Sequence, residues 1–325
     1  MRPSFRSLVL VLLAASGTFA LGQRGGSVSE WRDDLLQDVL DANSNLRYKG
    51  IRKVTFRFVR DGKPGSSTFT EVIVRDREKS RTEYTGTSNF EGQIAVDDGQ
   101  HRSHYFPKEN VIHRGPSLQH QNSERLDMLM RERRAEYTVT VAEGGKVADH
   151  NTWLITLKNA TGREHKIWVE KGRKAILKRE LSGPDKDRGM SYYFESFEYK
   201  RRVDDDEFKI SKPGAKVLDP EDRLALAAKK VDYAPFTISG DAKFKLYESS
   251  SFEANGSKVL RSTFSDGRLV VTLHQVRGSI DAERLKGRDK DRLKVHVWQR
   301  DGYNFALVGD LPAQELERLA KLVRR

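Results

Sequence analysis

Between residues 51 and 60 the chain alternates, with Val54, Phe56 and Phe58 on one side and Lys53, Thr55 and Arg57 on the other. That two-residue period belongs to a strand with one buried face. The same pattern predicts strands over 68–75, 81–85, 93–96 and 101–106, with Asp61-Gly-Lys-Pro-Gly65 and Asp97-Asp-Gly99 as the turns between them. It resumes over 136–142, 152–158, 164–170, 175–181 and 190–199, where Trp153, Ile155 and Leu157 alternate, as do Ile167 and Val169. An antiparallel meander is the simplest sheet that such a series builds. Two stretches break the period. Val28, Trp31, Leu35, Val39, Ala42 and Leu46 recur every three or four residues behind the capping box Ser27-Val-Ser-Glu30, which predicts an amphipathic helix over 27–46. A shorter helix is predicted over 124–134, carrying Leu126, Leu129 and Met130.

The last sixty residues have their own grammar. Asp266-Gly267 and Asp301-Gly302 each sit between extended segments, and both residues of such a pair accept positive φ, so two hairpins are predicted. Ala313, Leu316, Leu319, Ala320 and Val323 then recur at helical spacing. Pro312 and Glu315 stand at the start of that run and Lys321, Arg324 and Arg325 at its end, matching the helix dipole. Upstream, Pro213-Gly214 interrupts the strands, and Asp219-Pro220-Glu221-Asp222 opens a short helix that ends in Lys229-Lys230. The resulting organisation is a sheet domain over 27–212, a linker with a short helix over 213–230, and a small α+β domain over 231–325.

Composition narrows the class. The 325 residues are 37% hydrophobic and 33% charged, a soluble and heavily solvated balance. Arg2 and Arg6 precede an apolar run from Leu8 to Ala15, with Thr18-Phe19-Ala20 at cleavage positions. This reads as a signal peptide over 1–20, because a spanning helix needs about 20 apolar residues. There is no cysteine, so disulfide scaffolding, thiolate metal sites and a lipoprotein anchor are all excluded. The expected location is periplasmic or extracytoplasmic, in solution. A formal charge of +12 allows contact with an anionic envelope surface. Export removes the chain from nucleic acid.

Catalytic chemistry leaves no local signature. His101, His104, His113 and His120 are four of eight histidines. However, His101 and His104 are three apart on a predicted strand, so their side chains leave opposite faces and cannot share one ion. Asp185-Lys-Asp187 and Asp204-Asp205-Asp206 lack the spaced oxygen ligands of a calcium loop and read as hydrated turns. No nucleophile elbow, zinc-protease helix or phosphate loop occurs. The expectation is therefore no catalytic residue, no cofactor and no metal. Binding remains. Val54, Phe56, Phe58, Phe69 and Tyr84 on one face of a curved sheet would line a cavity for an acyl chain or a lipidated peptide, or would simply fill the core beneath the first helix.

Phe264-Ser-Asp-Gly-Arg-Leu-Val-Val-Thr-Leu273, with Asp301-Gly-Tyr-Asn-Phe-Ala-Leu-Val-Gly-Asp-Leu-Pro312 and the closing helix, resembles the end of the RseB/MucB family of periplasmic sigma-factor regulators. The order of helix, long strands, Val96-Asp-Asp-Gly99 and Tyr105-Phe-Pro107 resembles the LolA/LppX superfamily. These resemblances imply an α+β protein, a LolA-like antiparallel half-barrel plugged by helices and followed by a smaller antiparallel sheet with a C-terminal helix. They imply a non-enzymatic regulator that binds a membrane-anchored anti-sigma factor and senses a lipid or envelope-stress ligand. A periplasmic carrier of lipids or lipoproteins, or a basic glycan-binding protein using Lys200-Arg201-Arg202, are the alternatives.

Overall fold

A computed structural model describes residues 28–60, 62–86, 89–117, 137–185, 187–254, 256–266, 269–286 and 293–325. The segment expected as a signal peptide, the capping box residue Ser27 and the helix expected over 124–134 lie outside them. In chain order the elements are α1 (Val28–Asn45), β1 (Arg47–Arg60), β2 (Lys63–Asp76), β3 (Lys79–Thr85), β4 (Ile94–Asp97), β5 (His101–Phe106), β6 (Val111–Pro116), β7 (Tyr137–Val147), β8 (His150–Asn159), β9 (Glu164–Glu170), β10 (Ile176–Ser182) and β11 (Gly189–Tyr199). There follow β12 (Lys216–Leu218), α2 (Pro220–Val231), β13 (Thr237–Ile238), β14 (Lys245–Ala254), β15 (Ser257–Ser265), β16 (Val270–Val276), α3 (Ala282–Lys286), β17 (Lys294–Arg300), β18 (Tyr303–Gly309), α4 (Ala313–Lys321) and β19 (Val323–Arg324). The chain forms two compact units. One takes residues up to Glu109 and from Leu118 to Lys212, the other Asn110–Ser117 and Pro213–Arg325.

In the first unit ten strands run in the order β5-β4-β3-β2-β1-β11-β10-β9-β8-β7, every neighbouring pair antiparallel. Two meanders thus meet where β11 pairs with β1, and the sheet stays open. α1 buries Leu35, Leu36, Val39 and Leu40 against Ile155, Leu157, Ile167 and Val169 of β8 and β9. Each such leucine stabilises the contact by about 2 kcal/mol. Leu36 and Leu40 widen the stripe beyond the residues its spacing predicted, because a helix lying flat on a sheet buries more than a narrow seam. Ala42 and Leu46 turn instead toward Tyr48, Val54, Phe194 and Phe197.

The first turn is tighter than the sequence pattern predicts. Arg60 pairs directly with Lys63, so Lys63, Pro64 and Gly65 belong to β2 and not to the turn. Pro64 is tolerated because β3 pairs with β2 only from Thr70 onward, so among the described residues no strand on that side needs the N–H that proline lacks.

The second unit holds a five-stranded antiparallel sheet in the order β14-β15-β16-β18-β17. Asp301 (φ 52°) and Gly302 (φ 78°) form the predicted two-residue turn between β17 and β18. Hairpin β15–β16 pairs from Val259 to Ser265 as predicted, with Gly267 outside the described residues. α4 packs Leu316 and Leu319, both fully buried, against Phe264, Val271, Leu273, Phe305 and Leu307. Residues 213–230, expected as a linker, are built into this unit: α2 sends Ala227 and Val231 into the same core, and β12 pairs in parallel with β6. Neither β6 nor β12 was anticipated. Buried Gln275 holds the 233–236 segment, accepting from the Phe236 N–H at 3.0 Å and donating to the Ala234 carbonyl at 3.1 Å.

Candidate inner-face binding site

The register of β1 on β2 gathers most of the expected residues. Val54 lies opposite Phe69, and Phe56 shares the face of Val54 two positions along. Phe56 stacks on Phe69 with centroids 5.7 Å apart, and Tyr84 of β3 lies 5.8 Å from Phe69. Phe90, from the loop between β3 and β4, closes the group at 5.0 Å from Phe69 and 5.8 Å from Tyr84. Val54, Phe69 and Tyr84 are buried, whereas Phe56 and Phe90 are half-buried at the margin. Phe58 stands apart. Its ring lies over Gly65, where a β-carbon would come within 2.9 Å of it.

The same face carries charge that the aromatic pattern does not announce. Arg52 lies opposite Glu71, its Nε donating to Oε2 at 2.5 Å, with the two side chains 15% and 6% exposed. The guanidinium sits 4.7 Å from the Tyr192 ring centroid, and Tyr192 lies opposite Arg179 of β10. Burial alone would lower the Arg52 pKa, but the Glu71 carboxylate, with Tyr192 and Tyr48, more than offsets it and the net shift is upward. Arg179 moves the other way, its pKa lowered by burial. Burial also pushes up the phenols of Tyr84 and Tyr192. Two guanidiniums and one carboxylate thus adjoin the rings, an amphipathic surface on which an apolar chain could lie beside a polar group.

Phe90 and the Arg52–Glu71 pair are the residues that sequence reasoning missed. Direct pairing of Arg60 with Lys63 fixes the hairpin register and sets Arg52 against Glu71. A five-residue turn over 61–65 hides that pairing.

The histidines part as their spacing requires. His104 is buried, its Nε2 2.9 Å from Gln93 Oε1 and its ring 4.3 Å from that of Phe106, while His101 leaves the other face. His120 lies outside the described residues. Among those residues no group of three His, Asp or Glu side chains could hold a metal ion. The aspartate runs cap turns: Asp185 accepts from the Asp187 N–H and Asp204 from the Asp206 N–H, each at 3.0 Å. No described helix is long and apolar enough to cross a membrane.

Together these features define a two-unit α+β scaffold whose larger part is an open antiparallel sheet with one face lined by rings and charge. Neither a protein-family model nor a curated protein matches the chain. Among solved structures, MucB in complex with MucA(peri) is similar over 92% of this chain and 98% of that one, at 16% identity and a TM-score of 0.43. The Pseudomonas aeruginosa MucA/MucB complex covers 87% of this chain and 95% of its own, at 13% identity and a TM-score of 0.43. A LolA superfamily protein from Nitrosomonas europaea covers 53% of this chain and 96% of its own, at 10% identity and a TM-score of 0.27.

Proposed function

We propose that this chain is an exported, non-enzymatic regulator of the envelope. It binds the extracytoplasmic segment of a membrane-anchored anti-sigma factor and releases that segment when the apolar chain of a lipid occupies the inner face of the large sheet. The family part of this reading rests on the motifs at 264–273 and 301–312, which fall on the hairpins and the start of the terminal helix of the second unit. The observation that carries the ligand part is the margin of the aromatic group. Phe56 and Phe90 stay half-buried beside buried Val54, Phe69 and Tyr84, so an alkyl chain has rings to lie on. Regulation then follows from linkage: lipid and partner must favour different states of the protein, and each weakens the other by the same factor.

The chain purified from the periplasm is extracted into organic solvent and analysed by mass spectrometry. Acyl species at a stoichiometric level are expected, reduced in Phe56→Ser. Titration with the anti-sigma segment, with and without that lipid, tests the coupling. A chain that carries no acyl species and binds the segment identically with and without lipid would sink the regulatory reading.

A further inference from the structure

The second unit carries a row of cations laid on rings. Arg277 follows β16, Arg300 ends β17 directly opposite Tyr303, and Arg325 follows β19, whose Arg324 pairs with Thr237 next to Phe236. Four buried rings lie in succession: Tyr233 is 5.3 Å from Tyr303, Tyr303 5.6 Å from Phe236, and Phe236 5.0 Å from Phe305. Each guanidinium adjoins two neighbouring rings. Arg277 sits 5.6 Å from Tyr233 and 5.2 Å from Tyr303, Arg325 5.9 Å from Tyr303 and 5.0 Å from Phe236, and Arg300 5.2 Å from Phe236 and 5.8 Å from Phe305. Arg277, Arg325 and Arg300 thus stand in that order along the rings. The first two are exposed and the third is half-buried.

Contact with a ring holds a guanidinium in place but cancels none of its charge. Among the described residues neither Arg277 nor Arg325 has a carboxylate partner, and Arg300 has only Asp301, its Nε 4.0 Å from Oδ2. Arg300 also donates to the Val323 carbonyl, and Arg277 donates to the Tyr303 hydroxyl through Nε at 3.3 Å and Nη2 at 3.0 Å. That hydroxyl accepts both bonds, and among the described residues its own proton reaches no acceptor. An unused phenol proton beside three cations suits an anionic oxygen. One phosphate cannot span such a row. An extended peptide can, because it sends a side chain to the same side about every 7 Å, and guanidiniums take carboxylates through two parallel bonds. We propose that this row docks an extended acidic segment of a partner polypeptide. One carboxylate accepts from Tyr303 and Arg277, and the next along the segment accepts from Arg325 and Arg300. At a formal charge of +12 the chain is ill suited to be its own partner. The inference is independent of any ligand on the inner face, and it holds whether or not the segment belongs to an anti-sigma factor.

The probe is a fluorescein-labelled peptide of Asp-Ser repeats, titrated with the full chain and read by anisotropy. Binding is expected, with none for the matching Asn-Ser peptide. Arg277→Gln/Arg325→Gln should weaken it roughly tenfold, and Tyr303→Phe roughly threefold. Arg325→Gln alone should lose roughly threefold. It guards against misfolding, because among the described residues the Arg325 side chain has no hydrogen bond or ion pair to lose. Lys229→Gln/Lys230→Gln, an equal change in net charge at exposed positions of α2, should bind as the unaltered chain does. Inorganic phosphate should displace the peptide no better than chloride at the same ionic strength. Equal losses in the two double variants, capture of the Asn-Ser peptide, or displacement specific to phosphate overturns the assignment.

Discussion

Glu71 is 4% exposed, and its carboxylate meets the Arg52 guanidinium on the inner face of the sheet. Removing one member of a buried pair leaves the other charge desolvated, which is far worse than removing both. Glu71→Gln should therefore lower stability by about 3 kcal/mol, while Arg52→Met/Glu71→Leu should recover most of that loss; urea midpoints of the two variants decide it. His274, in the second unit, acts through pH. It is 8% exposed, its Nδ1 has no hydrogen-bond partner among the described residues, and burial, then the charge of Arg261, holds its pKa down to about 4. The unfolded chain titrates this group near 6.5, so between 6.5 and 4 the unfolded state binds more protons and stability falls as pH drops. The loss between pH 7 and pH 5 is about 2 kcal/mol. His274→Leu should flatten that part of the acid slope, read as the difference between the two chains' unfolding free energies at the two pH values.

At the scale of elements, the hairpin β17–β18 depends on a turn that only certain residues can make. Gly302 sits at φ 78° beside Asp301 at φ 52°. Gly302→Ala should cost about 1 kcal/mol, since an L side chain there meets its own backbone, and thermal unfolding would record it. This turn was legible because its chemistry is local, as were β5, β9 and α4, whose patterns repeat without interruption. β6 and β12 were not. Val111-Ile-His-Arg-Gly-Pro116 and Lys216-Val-Leu218 are too short to show a period, and their pairing joins residues about a hundred positions apart. α2 was readable as a helix from its proline and its capping acids, with the Asp219 N–H donating to Asp222 at 3.2 Å. Its place in a core was not readable, because only Ala227 and Val231 among its twelve residues are buried. Within the inner face, the strand-borne rings Phe56, Phe69 and Tyr84 were legible from alternation, whereas Phe90, on a loop outside any period, was not. The Arg52–Glu71 pair needed the length of a turn as well.

At the scale of the whole molecule, the division of the chain is not a single cut. Residues 110–117 belong with 213–325 although the first unit's β7 to β11 lie between them in sequence. The reason is in α2 and β12. Arg223 donates to the carbonyl of Arg114 at 2.9 Å and to that of Tyr247 at 2.7 Å, bridging β6 and β14, and β12 runs beside β6 from Lys216 to Leu218. A fragment of residues 213–325 alone would leave β12 without its neighbour and the half-buried Arg223 with one of the two carbonyls that its terminal nitrogen donates to. A second fragment, in which residues 110–117 precede 213–325 through a flexible glycine-serine linker, restores both. It should be more stable by about 2 kcal/mol, the worth of a few intramolecular hydrogen bonds. Trp298 is the one tryptophan either fragment contains, and it packs face to face on Phe305 at 5.1 Å. Its fluorescence therefore follows the sheet of the second unit through the denaturant transition. Coincident transitions in the two fragments would mean that residues 110–117 add nothing to that unit and that the boundary at 213 is complete in itself.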